Sequence, residues 1–338
     1  MKTLLLLFLL LLTSGLANGQ ASSIGIVDFH GLRGVSEQQA RQSLQIKEGD
    51  AVPGSPEKAV RRLEALPNVA RARLAIVCCD AGGRSILYVG IEEKGVPTLQ
   101  FRGAPQGKIR LPDRMVRAGE ALADAVGRAV QKGDAGEDDS QGHALFHNPE
   151  ARSFQNRFIT FAAQNLKTIR AVLRESSDAK HRALAAEIIA YATNKRDVVK
   201  DLVFSMSDPD EGVRNNSMRA LGIIAEFAQS KPGAQIKVPV RPFVLMLNSP
   251  EWTDRNKSSI ALFHLTGKRD PAILSALRER ALPLLIEMAR WKNPGHALAP
   301  FVLLGRVGNL SEEEIWKAWT SGDREALVEI VRKNLKSK

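Results

Sequence analysis

Cysteine is scarce in the chain: two in 338 residues, adjacent at Cys78 and Cys79. That excludes a disulfide framework, thiolate zinc spacing and a C-x-x-C redox motif. Aromatic residues make up 5% of the chain, with two tyrosines, which suits packed helices better than a large antiparallel sheet. Beyond the leucine-rich first dozen residues, no apolar run approaches the length that crosses a bilayer. A P-loop, a dinucleotide fingerprint, a nucleophile elbow and a recognisable paired-carboxylate setting are all missing. His143 and His147 stand four apart, but Asn148-Pro149 follows at once and no glutamate of an H-E-x-x-H motif lies between them. These absences leave no constellation for catalysis, so the expectation is a non-enzymatic protein with no cofactor and no metal.

What is present is globular: 44% hydrophobic and 25% charged residues. The formal charge is +11 and the pI about 9.8. Residues 150–338 hold most of the excess, with 30 Lys+Arg against 21 Asp+Glu. A basic half of this kind suits nucleic acid, an anionic membrane surface, envelope polymers or an acidic protein. The N-terminus narrows that choice. Lys2 is a short positive region, Leu4–Leu12 an apolar core too short to span a membrane, and Ala17-Asn18-Gly19 a small-x-small site. Residues 1–21 read as a cleavable signal peptide, with an uncleaved anchor as the alternative. The mature protein is then exported, periplasmic or secreted, and nucleic acid is not expected as a partner.

Residues 22–95 read as an α+β module. Ile24–Phe29 is a short strand, and Ser36 with Gln39 a capping box opening a helix to about Leu44. Ser55-Pro56-Glu57 starts a second helix that stops at Pro67. Val69–Val77 and Ser85–Glu92 are strands around the Asp80–Arg84 turn. The order is β-α-α-β-β. Phe29-His-Gly31-Leu-Arg-Gly34-Val-Ser36, Ile46-Lys-Glu-Gly49-Asp50, Leu66-Pro67-Asn68-Val69 and Val89-Gly-Ile-Glu92-Glu93 resemble a POTRA domain. The resemblance implies protein binding by strand addition to an open sheet edge. Such domains usually precede a β-barrel or follow a membrane anchor, and neither pattern is visible in this chain. Cys78 and Cys79 have two readings: a vicinal disulfide at the strand's end, or one thiol inside and the other exposed or paired between chains. Their side chains face opposite sides of a regular strand, which favours the second.

Residues 96–148 read as a linker. It carries one helix, Asp113–Lys132, and then an acidic glycine-rich run, Gly133–Gly142, expected to be a solvated flexible loop.

From residue 149 to 338 the pattern is helical and repetitive. Val198, Val199, Leu202, Val203 and Met206 give one helix an apolar stripe, and Val213, Ser217, Ala220, Leu221, Ile224 and Ala228 give the next another. Asp208-Pro209-Asp210 ends the first and caps the second. Acid and arginine recur four apart at Asp178/Arg182, Asp210/Arg214 and Glu251/Arg255, the arginines 32 and then 41 residues apart. That period marks stacked helix pairs, and these six residues are read as structural. Leu202–Ile224 resembles the HEAT repeat, which implies an armadillo-type α-solenoid and a mainly α chain overall. Trp316 and Trp319, on adjacent turns after the Ser311–Glu314 capping box, read as a terminal cap or as an aromatic binding patch.

The function that follows is an exported scaffold or adaptor. It binds protein partners through the solenoid's second helices, where Asn215, Arg219, Asn256 and Lys257 are the candidates, and through the POTRA-like module. The alternatives are a basic solenoid binding anionic envelope polymers or a lipid surface, and an enzyme-associated factor, since HEAT-like folds also host lyases.

Overall fold

The computed structural model describes residues 23–336; the expected signal peptide lies outside them. The chain forms two compact units. One is Gln100–Pro242. The other joins residues 23–99 to residues 243–336. The expected boundaries at 95 and 149 do not coincide with this division.

In the discontinuous unit, β1 (Ile24–His30), α1 (Glu37–Leu44), α2 (Glu57–Glu64), β2 (Val69–Val77) and β3 (Ser85–Glu93) follow in the expected order. Ser36 closes its capping box with Gln39. The sheet runs β1-β3-β2, with β1 parallel and β2 antiparallel to β3. Strand β3 is therefore central, and Ile86 to Ile91 are all buried. One sheet face takes Leu87, Val89 and Ile91 against Ala40, Leu44, Ala59 and Leu63 of the two helices.

The opposite face is covered by the C-terminal helices. These are α9 (Trp252–Leu265), α10 (Pro271–Ala289) and α11 (Pro294–Val307). Tyr88 stacks on Trp252 with ring centroids 5.0 Å apart, and its hydroxyl lies 2.7 Å from His296 Nδ1. Gly90 is a glycine for space, since a Cβ there would meet the Pro250 carbonyl oxygen. Charged groups close the seam. Arg73 donates to Glu251 at 2.7 Å, Lys292 N–H donates to Asp28 at 2.6 Å, and Gly31 N–H donates to Glu287 at 2.9 Å. The remaining elements of this unit are most of α8 (Arg241–Met246), α12 (Glu312–Ser321) and α13 (Arg324–Lys336).

Cys78 and Cys79 are bonded to each other just past β2, so the first of the two readings holds. The pair sits outside the strand's alternation, with Cα atoms 3.1 Å apart, against about 3.8 Å across a trans peptide. The peptide between them is cis.

In the continuous unit, α3 (Asp113–Gln131) packs on α4 (Pro149–Glu175), followed by α5 (Ala179–Ile189), α6 (Lys195–Ser205) and α7 (Glu211–Ser230). Helix α4 kinks at Asn165, whose φ of −129° is not helical. Residues 100–111, expected as part of a linker, instead strap the repeat turns. Arg102 N–H donates to Ser207 O at 2.8 Å, and Gly107 N–H donates to Glu175 O at 2.8 Å. The acidic run forms a hairpin of β4 (Glu137–Asp138) and β5 (Leu145–Phe146) docked on the helices. That corrects the solvated loop.

The repeating acids and arginines sit at the helix turns. Asp178 and Asp210 turn inward to cap α5 and α7. Each arginine reaches the carbonyl six residues behind it: Arg182 to Ser176 at 2.9 Å, Arg214 to Asp208 at 2.9 Å, Arg255 to Ser249 at 2.6 Å. Arg182 and Arg255 also reach acids further along the chain. Arg182 holds both oxygens of Asp208 at 2.9 and 2.8 Å, and Arg255 holds Glu287 at 2.6 Å. The reason is burial. These guanidiniums are 1–2% exposed, so they need carbonyl and carboxylate acceptors rather than a solvated neighbour on their own helix.

Candidate functional site

In the continuous unit, α5 and α7 pack side by side, and their shared face carries Arg219. The aspartate caps fix where both helices begin, so Glu187 of α5 and Arg219 of α7 come to the same place. Glu137 of β4 sits on that guanidinium, its two carboxylate oxygens 2.6 and 2.5 Å from Nη2. Asp139 lies beside them, with a buried oxygen that no hydrogen bond satisfies.

Glu137 binds the guanidinium, and the charge of Arg219 also reaches Asp139 and Glu187. Burial pushes Asp139 up to about 6 despite Arg219, with Glu137, Glu226 and Asp138 adding to the rise. Burial also pushes Glu187 up to about 7, again opposed by Arg219 and aided by Glu137. Arg219 itself is raised: burial would lower it, but Glu137 and the other acids outweigh that effect.

The rest of the hairpin is gripped through its backbone. Tyr191 donates its hydroxyl to the Ala144 carbonyl at 2.9 Å, and Phe146 N–H donates to the Gln155 side chain at 2.7 Å. Lys195 bridges Ala190 O at 2.7 Å and His143 Nδ1 at 2.9 Å. Burial lowers Lys195 to about 8, and burial together with Lys195 lowers His143 to about 4. Gly142, at φ +73°, lets the hairpin turn close against Phe227 and Lys195.

The candidates read from the sequence are scattered. Arg219 is in the site but already bound by Glu137. Asn215, one turn earlier on α7, donates to Asn216 at 3.0 Å. Asn256 and Lys257 are 1% and 6% exposed on α9 of the other unit, so they do not line an open face. Their helix packs mainly on α11 and also on strands β2 and β3. Trp316 and Trp319 are half-buried on α12; Trp319 packs edge-on against Phe301 at 5.1 Å and under Arg324 at 5.9 Å.

Glu137, Asp139, Tyr191, Lys195 and Gln155 escaped the sequence reading. The signal available was His143-Ala-Leu-Phe146, an apolar stretch directly after the acidic one and too hydrophobic for a solvated loop.

Comparison with known proteins places the repeats. The HEAT repeats family matches residues 166–234. Among curated proteins nothing matches this sequence. Of solved structures, a designed armadillo repeat protein, YIII(Dq)4CqI, is similar at 17% identity, covering 59% of this chain and 95% of its own, with a TM-score of 0.34. A second design, YIII(Dq.V1)4CPAF in complex with the peptide (KR)4, has 14% identity, 56% and 93% coverage and a TM-score of 0.34. The family match spans the latter part of α4, helices α5 to α7 and the Asp208 turn between α6 and α7, where two of the arginine-to-turn bonds lie, so residues 166–234 are similar to HEAT repeats.

Proposed function

We propose that the protein is an exported, non-enzymatic scaffold that binds protein partners through the α5/α7 face and through the β-α-α-β-β module. The observation that carries this reading is the chemistry of the α5/α7 face. The Arg219 guanidinium of α7, with the Tyr191 hydroxyl just past α5 and the Gln155 amide of neighbouring α4, engages the carboxylate, carbonyl and amide of an extended segment. Those groups recognise peptide rather than perform a reaction. Export is supported by the sequence of residues 1–21 and by the Cys78–Cys79 disulfide, a bond that persists in oxidising compartments.

The module resembles a POTRA domain, and β2 is one edge strand of its sheet. Ala72 turns its amide away from β3 to Glu64 at 3.0 Å. By strand alternation Leu74 and Ile76 turn theirs the same way, toward an added strand.

The test uses the immobilised full chain in envelope extract, washed at physiological and then at high salt. A stoichiometric protein retained through the physiological wash is the expected result. Anionic polymer alone, released by salt, overturns the scaffold reading and leaves the basic surface as the functional feature.

A further inference from the structure

We propose that β4 and its flanking Asp139 are a built-in stand-in for a partner's acidic peptide, and that the α5/α7 face takes up such a peptide by exchanging it for that arm. This rests on the scaffold reading and names its ligand class.

The two arms of the hairpin are held very differently. On the β5 side Ala144, Leu145 and Phe146 are 2–7% exposed, with backbone bonds to Tyr191 and Gln155. That arm belongs to the core of the unit. The β4 arm is half-buried. It pairs with β5 over two residues and is tied to the helices by Glu137 on Arg219, by Asp138 at 3.6 Å from Arg152 of α4 and by Asp134 accepting from Asn148 at 2.8 Å, all of them side-chain contacts. Glycines bracket it at Gly133 and Gly142, both at positive φ; Gly133 is exposed, whereas Gly142 is packed against Phe227 and Lys195.

The charge count works against the arm that is bound. Glu137 binds the guanidinium, whose charge also reaches Asp139 and Glu187, and Asp139 brings a buried oxygen with no donor. A peptide offering one well-placed carboxylate in extended form keeps the Arg219 contact and the pairing to β5 while removing the Asp139 penalty. The same geometry rejects a basic peptide, which would set its cations against Arg219 and Lys195. Recognition is thus strand addition to β5 with a carboxylate anchor.

The test is fluorescence anisotropy of the full chain with a labelled synthetic peptide, Ala-Gly-Glu-Asp-Asn-Ser, copied from residues 135–140 with asparagine in place of Asp139. Glu137→Gln removes the internal competitor and is expected to bind it at least about tenfold tighter than the wild type, a difference of about 1.4 kcal/mol. Arg219→Gln added to Glu137→Gln is expected to abolish the gain, while Arg219→Lys in the same background keeps part of it. The Gln/Asn version of the peptide is expected not to bind. Far-UV circular dichroism identifies any variant that has unfolded, and the Lys variant then carries the comparison. Equal binding of the peptide by wild type and folded Glu137→Gln overturns the proposal, as does equal binding of its uncharged version. If the exchange fails while the full chain still retains a stoichiometric partner, the acidic-peptide assignment falls and the scaffold reading stands. If the partner is absent as well, both fall.

Discussion

Replacing Asp208 by alanine is the sharpest probe of the repeat framework. Asp208 is fully buried, accepts two bonds from Arg182 at 2.8 and 2.9 Å, accepts a third from Asp210 N–H at 2.9 Å, and also binds Arg102. Alanine leaves the Arg182 guanidinium, itself 2% exposed, with only the Ser176 carbonyl. Breaking one side of a buried pair costs about 3–5 kcal/mol, because the surviving charge is stranded. All four tryptophans, at 252, 291, 316 and 319, lie in the other unit, so intrinsic tryptophan emission is a poor reporter here. Amide hydrogen exchange of α5–α7 is the suitable assay, since local protection reads the opening free energy directly. At about 1.4 kcal/mol per decade, the predicted loss is an acceleration of roughly two to four decades in the slowest amides. Arg182→Met with Asp208→Leu removes both charges and is expected to restore much of the protection, leaving the partly exposed Arg102 to turn to solvent. An Asp208→Ala protein whose slowest amides accelerate less than about fivefold refutes the reasoning. The arginine ladder would then be an ornament of the turns rather than what holds them.

Three further outcomes are expected. Docking of the β4 arm weakens as pH rises: Asp139 and Glu187 are held above their ordinary values, at about 6 and about 7, so the docked form binds more protons. Its advantage is complete below about pH 4 and fades through pH 6–7 as they ionise beside Glu137, Asp138 and Glu226, with Arg219 the opposing cation. Exchange of amides 136–142, corrected for intrinsic rate, reads this, and protection that rises with pH contradicts it. Gly90→Ala drives a methyl into the Pro250 carbonyl and the His30 ring, costing about 1–3 kcal/mol or more; red-shifted Trp252 and Trp291 emission at lower urea is the readout, and an unchanged midpoint is the contrary result. Ile76→Pro removes an outward amide from edge strand β2, so it is expected to abolish partner capture through the module while the sheet survives. Undiminished capture would place that contact elsewhere.

Elements governed by neighbours in sequence were legible to within a residue or two. The capping box at Ser36–Gln39 starts α1 where expected, and Asp178 and Asp210 cap α5 and α7. These signals act over three or four residues, so the chain states them locally. What covers Tyr88 and Gly90 was not legible, because Trp252 and His296 lie 164 and 208 residues away and nothing in a strand pattern names its cover. The same holds for Arg182, whose acid is Asp208 rather than Asp178. The acidic hairpin was misread for a different reason. Composition reports average solvation, whereas docking turns on one arginine on a distant helix. Cys78–Cys79 departs from strand alternation at the single residue step where the strand ends.

A unit assembled from residues 23–99 and 243–336 has a consequence in time. During synthesis, Tyr88, Ile86 and Gly90 emerge long before Trp252, Trp291 and His296 exist, so one side of the sheet waits uncovered while some 150 further residues are made. The helices between them, continuous in sequence, bring the two ends of this unit closer than the bare chain would. Covering that side of the sheet therefore has to wait until the youngest segment of the chain has been made.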